Sequence, residues 1–167
     1  LNCWYKYKFM AKEHQYQNSL VWAGNKGSGT MDYRSYERDF VISVQQKPDI
    51  QGSSDSDFLG DKERYNPEDL LVSSISSCHM LWYLHLCSRN GIVVLDYKDN
   101  AIGKMVEDAD GSGRFKEVIL HPEVTIANEA DVDKADALHA EAGKMCFIAN
   151  SCNFPIKHEP RCLVEQS

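Results

Sequence analysis

The chain has no excess of positive charge. Its 167 residues carry 25 acidic and 18 basic side chains, a net charge of −7. No long basic surface is available to follow a phosphate backbone, so no nucleic-acid partner is expected. Long apolar runs are also missing: the longest uncharged apolar run, Met80 to Cys87 with His85 inside it, is far short of the roughly 20 residues that span a bilayer. No membrane partner is expected either. The six cysteines, at 3, 78, 87, 146, 152 and 162, form no dense pattern and follow no secretory signal, which argues against a disulfide scaffold and for a reducing cytoplasm. No internal repeat or low-complexity tract is present.

What is present is enough apolar residue, 43%, for one well-formed core, and the length favours a single domain over residues 1–167. Trp4 to Phe9 and Gln15 to Trp22 read as strands. The Gly-Asn-Lys-Gly-Ser-Gly tract at 24–29 is a turn, and a third strand is expected from Tyr33 to Val44, completing an antiparallel meander. Residues 45–66 form a long polar loop of the kind that is more often functional than idle. Asn66-Pro67-Glu68-Asp69 is a helix start, with an N-cap, a proline in the first turn and two carboxylates at the positive end of the dipole. The helix should run to Arg89 and stop at Asn90-Gly91. Its second half is apolar almost all round, as in a helix buried on every side.

Two further strands, Ile92 to Val106 and Arg114 to Ala127, are joined by the turn at 108–113. A second amphipathic helix shows Ala135, Leu138, Ala142, Met145 and Ala149 at three- and four-residue steps. A last strand, Ile156 to Val164, closes the chain. This order is α+β, not the alternation of a doubly wound sheet.

Two cysteines stand in helix-patterned segments: Ser-Ser-Ile-Ser-Ser-Cys78-His-Met-Leu-Trp and Gly-Lys-Met-Cys146-Phe-Ile-Ala-Asn-Ser. A free thiol is only about 3% thiolate at pH 7, so reactivity requires a nearby cation or hydrogen-bond donors. His79 is adjacent in sequence and points elsewhere on a helix. Arg34, Arg38 and Arg64 are the candidate activators, with Arg34 and Arg38 expected on one strand face beside Tyr36. Both cysteines also fit the plain role of small core hydrophobes. A metal site from Cys146, Cys152, His158 and Cys162 is a further alternative, although the gaps of five, five and three differ from zinc-type pairs. A Cys–His hydrolase is conceivable, but nothing local selects one of the six histidines.

Asn66-Pro67-Glu68-Asp69-Leu70-Leu71, then Ser77-Cys78-His79-Met80-Leu81, then Cys146-Phe147-Ile148-Ala149-Asn150-Ser151 closely resemble the OsmC/Ohr family of thiol-dependent hydroperoxide reductases. The resemblance also takes in Gly91-Ile92-Val93-Val94, Val118 to Val124 and the segment around Tyr36 to Asp39, so that it covers roughly residues 30–160. It implies an α+β fold with antiparallel sheets wrapped around a long central helix, made as an intertwined homodimer with no cofactor or metal. It further implies that Cys78 attacks an organic hydroperoxide and passes through a sulfenic acid, that Cys146 resolves it as an intramolecular disulfide, and that a dithiol, often a lipoyl group, restores both. Arg38 resembles the arginine that holds the thiolate, and Glu68 the carboxylate that orients it. The alternative within this fold is a non-catalytic protein binding a small apolar or thiol-reactive ligand at the dimer interface.

Ten residues on a straight helix span about 15 Å, too far for Glu68 and Cys78 to touch one guanidinium. A break at Ser73-Ser74-Ile75-Ser76-Ser77 together with dimerisation is therefore expected. One position departs from the family pattern. Many relatives carry Ala-His-x-x-Cys, whereas this chain has Ala142-Gly143-Lys144-Met145-Cys146, and a mid-helix glycine costs about 1 kcal/mol against alanine.

Overall fold

The structure, a computed structural model, describes residues 12–165. The chain divides into two compact units, Leu1–Tyr65 and Asn66–Ser167, each taken by itself below. The strand expected at Trp4 to Phe9 lies outside the described residues.

In the first unit, β1 (Ser19–Trp22), β2 (Phe40–Ser43) and β3 (Ile50–Gly52) form an antiparallel meander in that order. The middle strand is shorter than the sequence suggests. Residues 32–35 close a turn, with the Arg34 amide donating to Asp32 Oδ1 at 2.8 Å and the Ser35 amide to Asp32 O. An aspartate that binds the backbone two residues on competes with the strand ladder, so Arg34 and Arg38 do not share a strand face. The expected 45–66 loop is likewise broken up, by β3 and a short 3-10 turn at Ser56–Phe58.

The second unit begins with α1 (Pro67–Arg89). Asn66 accepts from the Asp69 amide and Asp69 reaches back to the Asn66 amide, a complete capping box. Gly91, at φ 75°, supplies the left-handed residue that ends it. Contrary to expectation, the serine run does not break the helix. Ser74 donates to Leu71 O and Ser77 to Ser73 O, both at 2.7 Å, while Ser76 donates to Asp99. Hydroxyls satisfied on the helix's own carbonyls are compatible with helical geometry, which propensity alone does not register.

The helix is also not buried on every side. Its buried residues are Ile75, His79, Tyr83 and Cys87, a single stripe at four-residue steps, whereas Leu81 is 63% exposed. By length and mean hydropathy, 1.3, α1 could cross a bilayer, a possibility that counting uninterrupted apolar runs did not show. Its buried stripe nevertheless packs with α2 (Val132–Met145), the situation of a core helix. Burying a side chain such as Ile75 contributes about 1.5–3 kcal/mol.

Each long strand read from the sequence is bent into two. The first becomes β4 (Val94–Asp99) and β5 (Ile102–Glu107), the second β6 (Gly113–Leu120) and β7 (Pro122–Ile126), and the last β8 (Ile156–His158) and β9 (Arg161–Val164). The result is two three-stranded sheets, β4-β7-β9 and β5-β6-β8. The first two pairs are antiparallel, and β8 and β9 add in parallel to β6 and β7. His121 laces the corner: its amide donates to Asp99, one ring nitrogen meets Asn100 O at 3.0 Å, and the other lies 3.6 Å from Glu159. Two cores result, one around Tyr83, Val124 and Leu138 and the other around Ile75, Val118 and Leu120.

Candidate active site

Cys78 lies mid-helix on α1 and is half-buried. Cys146 ends α2: its amide still bonds Ala142 O, but its own backbone turns extended, φ −68° and ψ 110°. The residues that follow fix this turn. Asn150 donates from its side chain to Lys144 O at 2.9 Å and from its amide to Cys146 O at 3.0 Å, and Ser151 donates to Phe147 O at 2.8 Å. The Cys-Phe-Ile-Ala-Asn-Ser run thus closes the exposed carbonyls of a helix end. It aims the Ala149 amide at Cys146 Sγ, 3.4 Å away.

The two thiols, 68 residues apart in sequence, are brought close enough for Cys78 to influence the Cys146 thiol, and both are free. Cys146 is 1% exposed. Burial first, and then the neighbouring Cys78 thiol, push its thiol up to about 11, so the proton stays on Cys146.

Sequence reading did not bring together a group of three histidines, of which His79 and His158 line a cavity of about 260 Å³ together with Cys146. His79 Nε2 and His139 Nδ1 are 3.0 Å apart, His158 Nε2 donates to His139 O at 3.0 Å, and the His158 ring sits edge-on to His79. Tyr83 stacks on His139 with ring centres 3.9 Å apart. His79 is 2% and His139 3% exposed. Burial above all, reinforced by His158, takes His79 down to about 4. Burial, His79 and His158 take His139 down to about 3. Both rings are therefore neutral at pH 7, each with one N–H, and the short contact between them is an N–H···N hydrogen bond. A signal was available: His79 falls on the four-residue stripe with Ile75, Tyr83 and Cys87, and His139 lies next to Leu138 on the buried face of α2. Among the described residues neither ring is bonded to a thiol, so the Cys–His pair of a hydrolase is not formed.

Arg38 is held within the first unit, its guanidinium 4.4 Å and 4.3 Å from the ring centres of Tyr33 and Tyr36 and donating to both residues' carbonyls. Arg64 pairs with Asp39 at 3.4 Å and Asp61 at 3.2 Å. Arg34 occupies the 32–35 turn. Glu68 sits in the first turn of α1, and because the helix is continuous it stays about 15 Å along the axis from Cys78. The expected break that would have joined them is absent. Nor does the C-terminal metal alternative assemble: Cys152 packs against one core and Cys162 against the other, and among the described residues no group of three or more metal-ligating side chains is found.

Residues 60–161 match the OsmC-like protein family, more than half of the chain, and the chain belongs to that family. Among its relatives is the uncharacterized protein YmaD of Bacillus subtilis, 22% identical over 143 residues, which are 83% of this chain and 87% of that protein. An OsmC-like protein of unknown function from Vibrio cholerae superposes with a TM-score of 0.80 at 24% identity, covering 89% of this chain and 99% of that one. An organic hydroperoxide resistance protein from Elizabethkingia anophelis does so with a TM-score of 0.65 at 15% identity, covering 92% and 100%.

Proposed function

We propose that the protein is a thiol-dependent peroxidase for organic hydroperoxides. The observation that carries this reading is that the fold brings Cys78 and Cys146 close enough for one thiol to influence the other. In the first step the Cys78 thiolate attacks one peroxide oxygen, the O–O bond breaks, an alcohol leaves and Cys78 becomes a sulfenic acid. In the second, Cys146 attacks that sulfur, the S–O bond breaks, water leaves and the disulfide forms. A dithiol of lipoyl type then takes up the oxidation and returns both thiols. The presence of a hydroperoxide resistance protein among the structural neighbours supports the substrate class.

Arg38 takes the role of thiolate-holding cation that the family resemblance gives it. Since α1 runs unbroken, Glu68 serves the site of a partner copy in a homodimer. The exposed apolar side chains Leu81 on α1 and Phe147 beside Cys146 support such an assembly, since neighbouring exposed apolar groups mark interaction surfaces. The cysteine spacing supports a reducing cytoplasm as the compartment.

The test is mass spectrometry of reduced protein treated with one equivalent of cumene hydroperoxide. A Cys78–Cys146 disulfide should form within seconds, and Cys78→Ser should abolish peroxide consumption with dihydrolipoamide. Undiminished turnover in that variant would sink the assignment of Cys78, and a failure of the disulfide to form would favour a ligand-binding protein on the same fold.

A further inference from the structure

The cavity of about 260 Å³ beside Cys146 is built wholly within the second unit, by α1, α2, β6 and β8. Most of its wall is apolar, from Ile75, Leu120 and Ile156, and two imidazoles, His79 and His158, are set into it. Gly143 adds no side chain on the α2 side, where His158 Nε2 lies 3.5 Å from the point a Cβ would occupy.

Each imidazole spends one nitrogen inside the protein. His79 Nε2 meets His139 Nδ1 and His158 Nε2 meets His139 O, both at 3.0 Å. A carbonyl only accepts, so the hydrogen of a neutral His158 ring sits on Nε2 and its Nδ1 is an acceptor. Among the described residues no group hydrogen-bonds Nδ1 of His79 or of His158, although His79 is only 2% exposed. A polar atom withdrawn from bulk water costs free energy until it finds a partner. Each buried water needs about two to four polar partners of its own, more than an apolar wall with two such nitrogens supplies. A molecule with an apolar body and one polar end complements this wall better.

The wall also selects by charge, shape and size. Its one fully charged side chain, Lys144, is paired with Glu141 at 2.7 Å, and burial takes His79 down to about 4, so an ion entering would lose its water without gaining a counter-charge. The His79 and His158 rings stand at 79° with centres 5.3 Å apart, an edge-to-face corner of the kind that aromatic rings favour. A cavity of about 150 Å³ holds benzene, so this one takes roughly ten non-hydrogen atoms.

We propose that this cavity is a binding site for a small neutral molecule of phenol or indole type, whose single O–H or N–H donates to His158 Nδ1. Cys146 borders the space and Cys78 does not. The bound molecule therefore sits beside the buried thiol and is not presented to Cys78. The site involves no covalent step, and it stands whether or not the two cysteines form a redox pair.

The probe is 4-ethylphenol, titrated calorimetrically into the reduced full chain. It should bind at one site per chain, about tenfold or more tightly than ethylbenzene, which lacks the donor, and than 4-ethylbenzoate, which is charged. No binding up to the solubility limit of 4-ethylphenol, equal affinity for ethylbenzene, or tighter binding of the benzoate would each overturn the proposal. Position is read from nitrogen-15 spectra of histidine-labelled protein: 4-ethylphenol should shift Nδ1 of His158 and leave His85 and His121 unmoved, and the opposite pattern places the probe elsewhere and overturns the site. Gly143→Leu, which brings a side chain into the cavity from α2, should weaken binding about tenfold or more, and unchanged affinity counts against the site. His158→Phe keeps a flat ring but no acceptor, and should abolish the preference for 4-ethylphenol over ethylbenzene; a retained preference overturns the role of His158. Should either variant fail to fold, the wild-type ligand series and the nitrogen-15 shifts decide the matter.

Discussion

Cys78 and Cys146 are neighbours, yet their surroundings are opposite. Cys78 is half-buried on a continuous helix, whereas Cys146 is sealed at a helix end, faced by the Ala149 amide. Proximity alone would make the thiols interchangeable partners; the asymmetry of burial separates them. The thiol that keeps its proton is suited to wait, and the more open one to meet substrate.

The sharpest way to break this comparison is to remove the waiting thiol. Cys146→Ser should leave a Cys78 sulfenic acid that persists after one equivalent of hydroperoxide and reacts with dimedone, while steady-state turnover with dihydrolipoamide falls by about a hundredfold or more, read by peroxide consumption. If turnover is retained, the two roles are not divided as proposed. Next comes the cation. Arg38→Ala should slow the first oxidation by about 10- to 100-fold and move its pH profile upward, with Arg38→Lys recovering only part, because an ammonium lacks the planar fork. Stopped-flow measurement of Cys78 oxidation against pH distinguishes this from a purely structural loss.

A third prediction concerns the buried histidine pair. Both rings have folded values below the ordinary 6.5, about 4 for His79 and about 3 for His139. Below pH 6.5 the unfolded chain takes up protons that the folded chain refuses. Stability is therefore flat above about 6.5 and is lost as pH falls from there towards 4, at up to about 1.4 kcal/mol per pH unit per ring. Thermal unfolding between pH 7.5 and 4.5 should show this decline, and His79→Phe should flatten it. The smallest effect is expected at Gly143. A Cβ there meets His158 only at ordinary contact distance, 3.5 Å, so Gly143→Ala should stabilise the protein by up to about 1 kcal/mol, seen as a Tm rise of a few degrees.

The features legible in the sequence are those set by neighbouring residues. Asn66 and Pro67 start α1 and Gly91 stops it because capping is local, and the 108–113 turn announces its hairpin for the same reason. The features that were not legible depend on distant contacts. The corner shared by three strands is laced by His121 to Asn100 and Glu159, and no strand pattern announces it. The serine run reads as a weak helix until its hydroxyls are seen to bond back to the helix and to Asp99. Arg34 and Arg38 looked like strand neighbours because alternation is a pattern, whereas the Asp32 turn that separates them is a single side-chain bond. At the site, the cysteine motifs identified both thiols, but the histidines were weighed only as partners of the cysteines and not as a group of their own, since a polar residue on an apolar stripe shows its meaning only once its partner is found.

The strand corner has a consequence for the thiol site. His158 is the last residue of β8, delivered to the cavity just before the chain turns at Pro160, while its neighbour Lys157 faces the other way and pairs with Glu117 at 2.7 Å. Alternate residues of a strand face opposite sides. Adding or deleting one residue between Ile156 and Pro160 would rotate a lysine or a glutamate into the place of the imidazole, leaving both cysteines untouched but charging the space beside Cys146. The spacing of a proline in the last strand thus sets the polarity of the chamber next to the buried thiol.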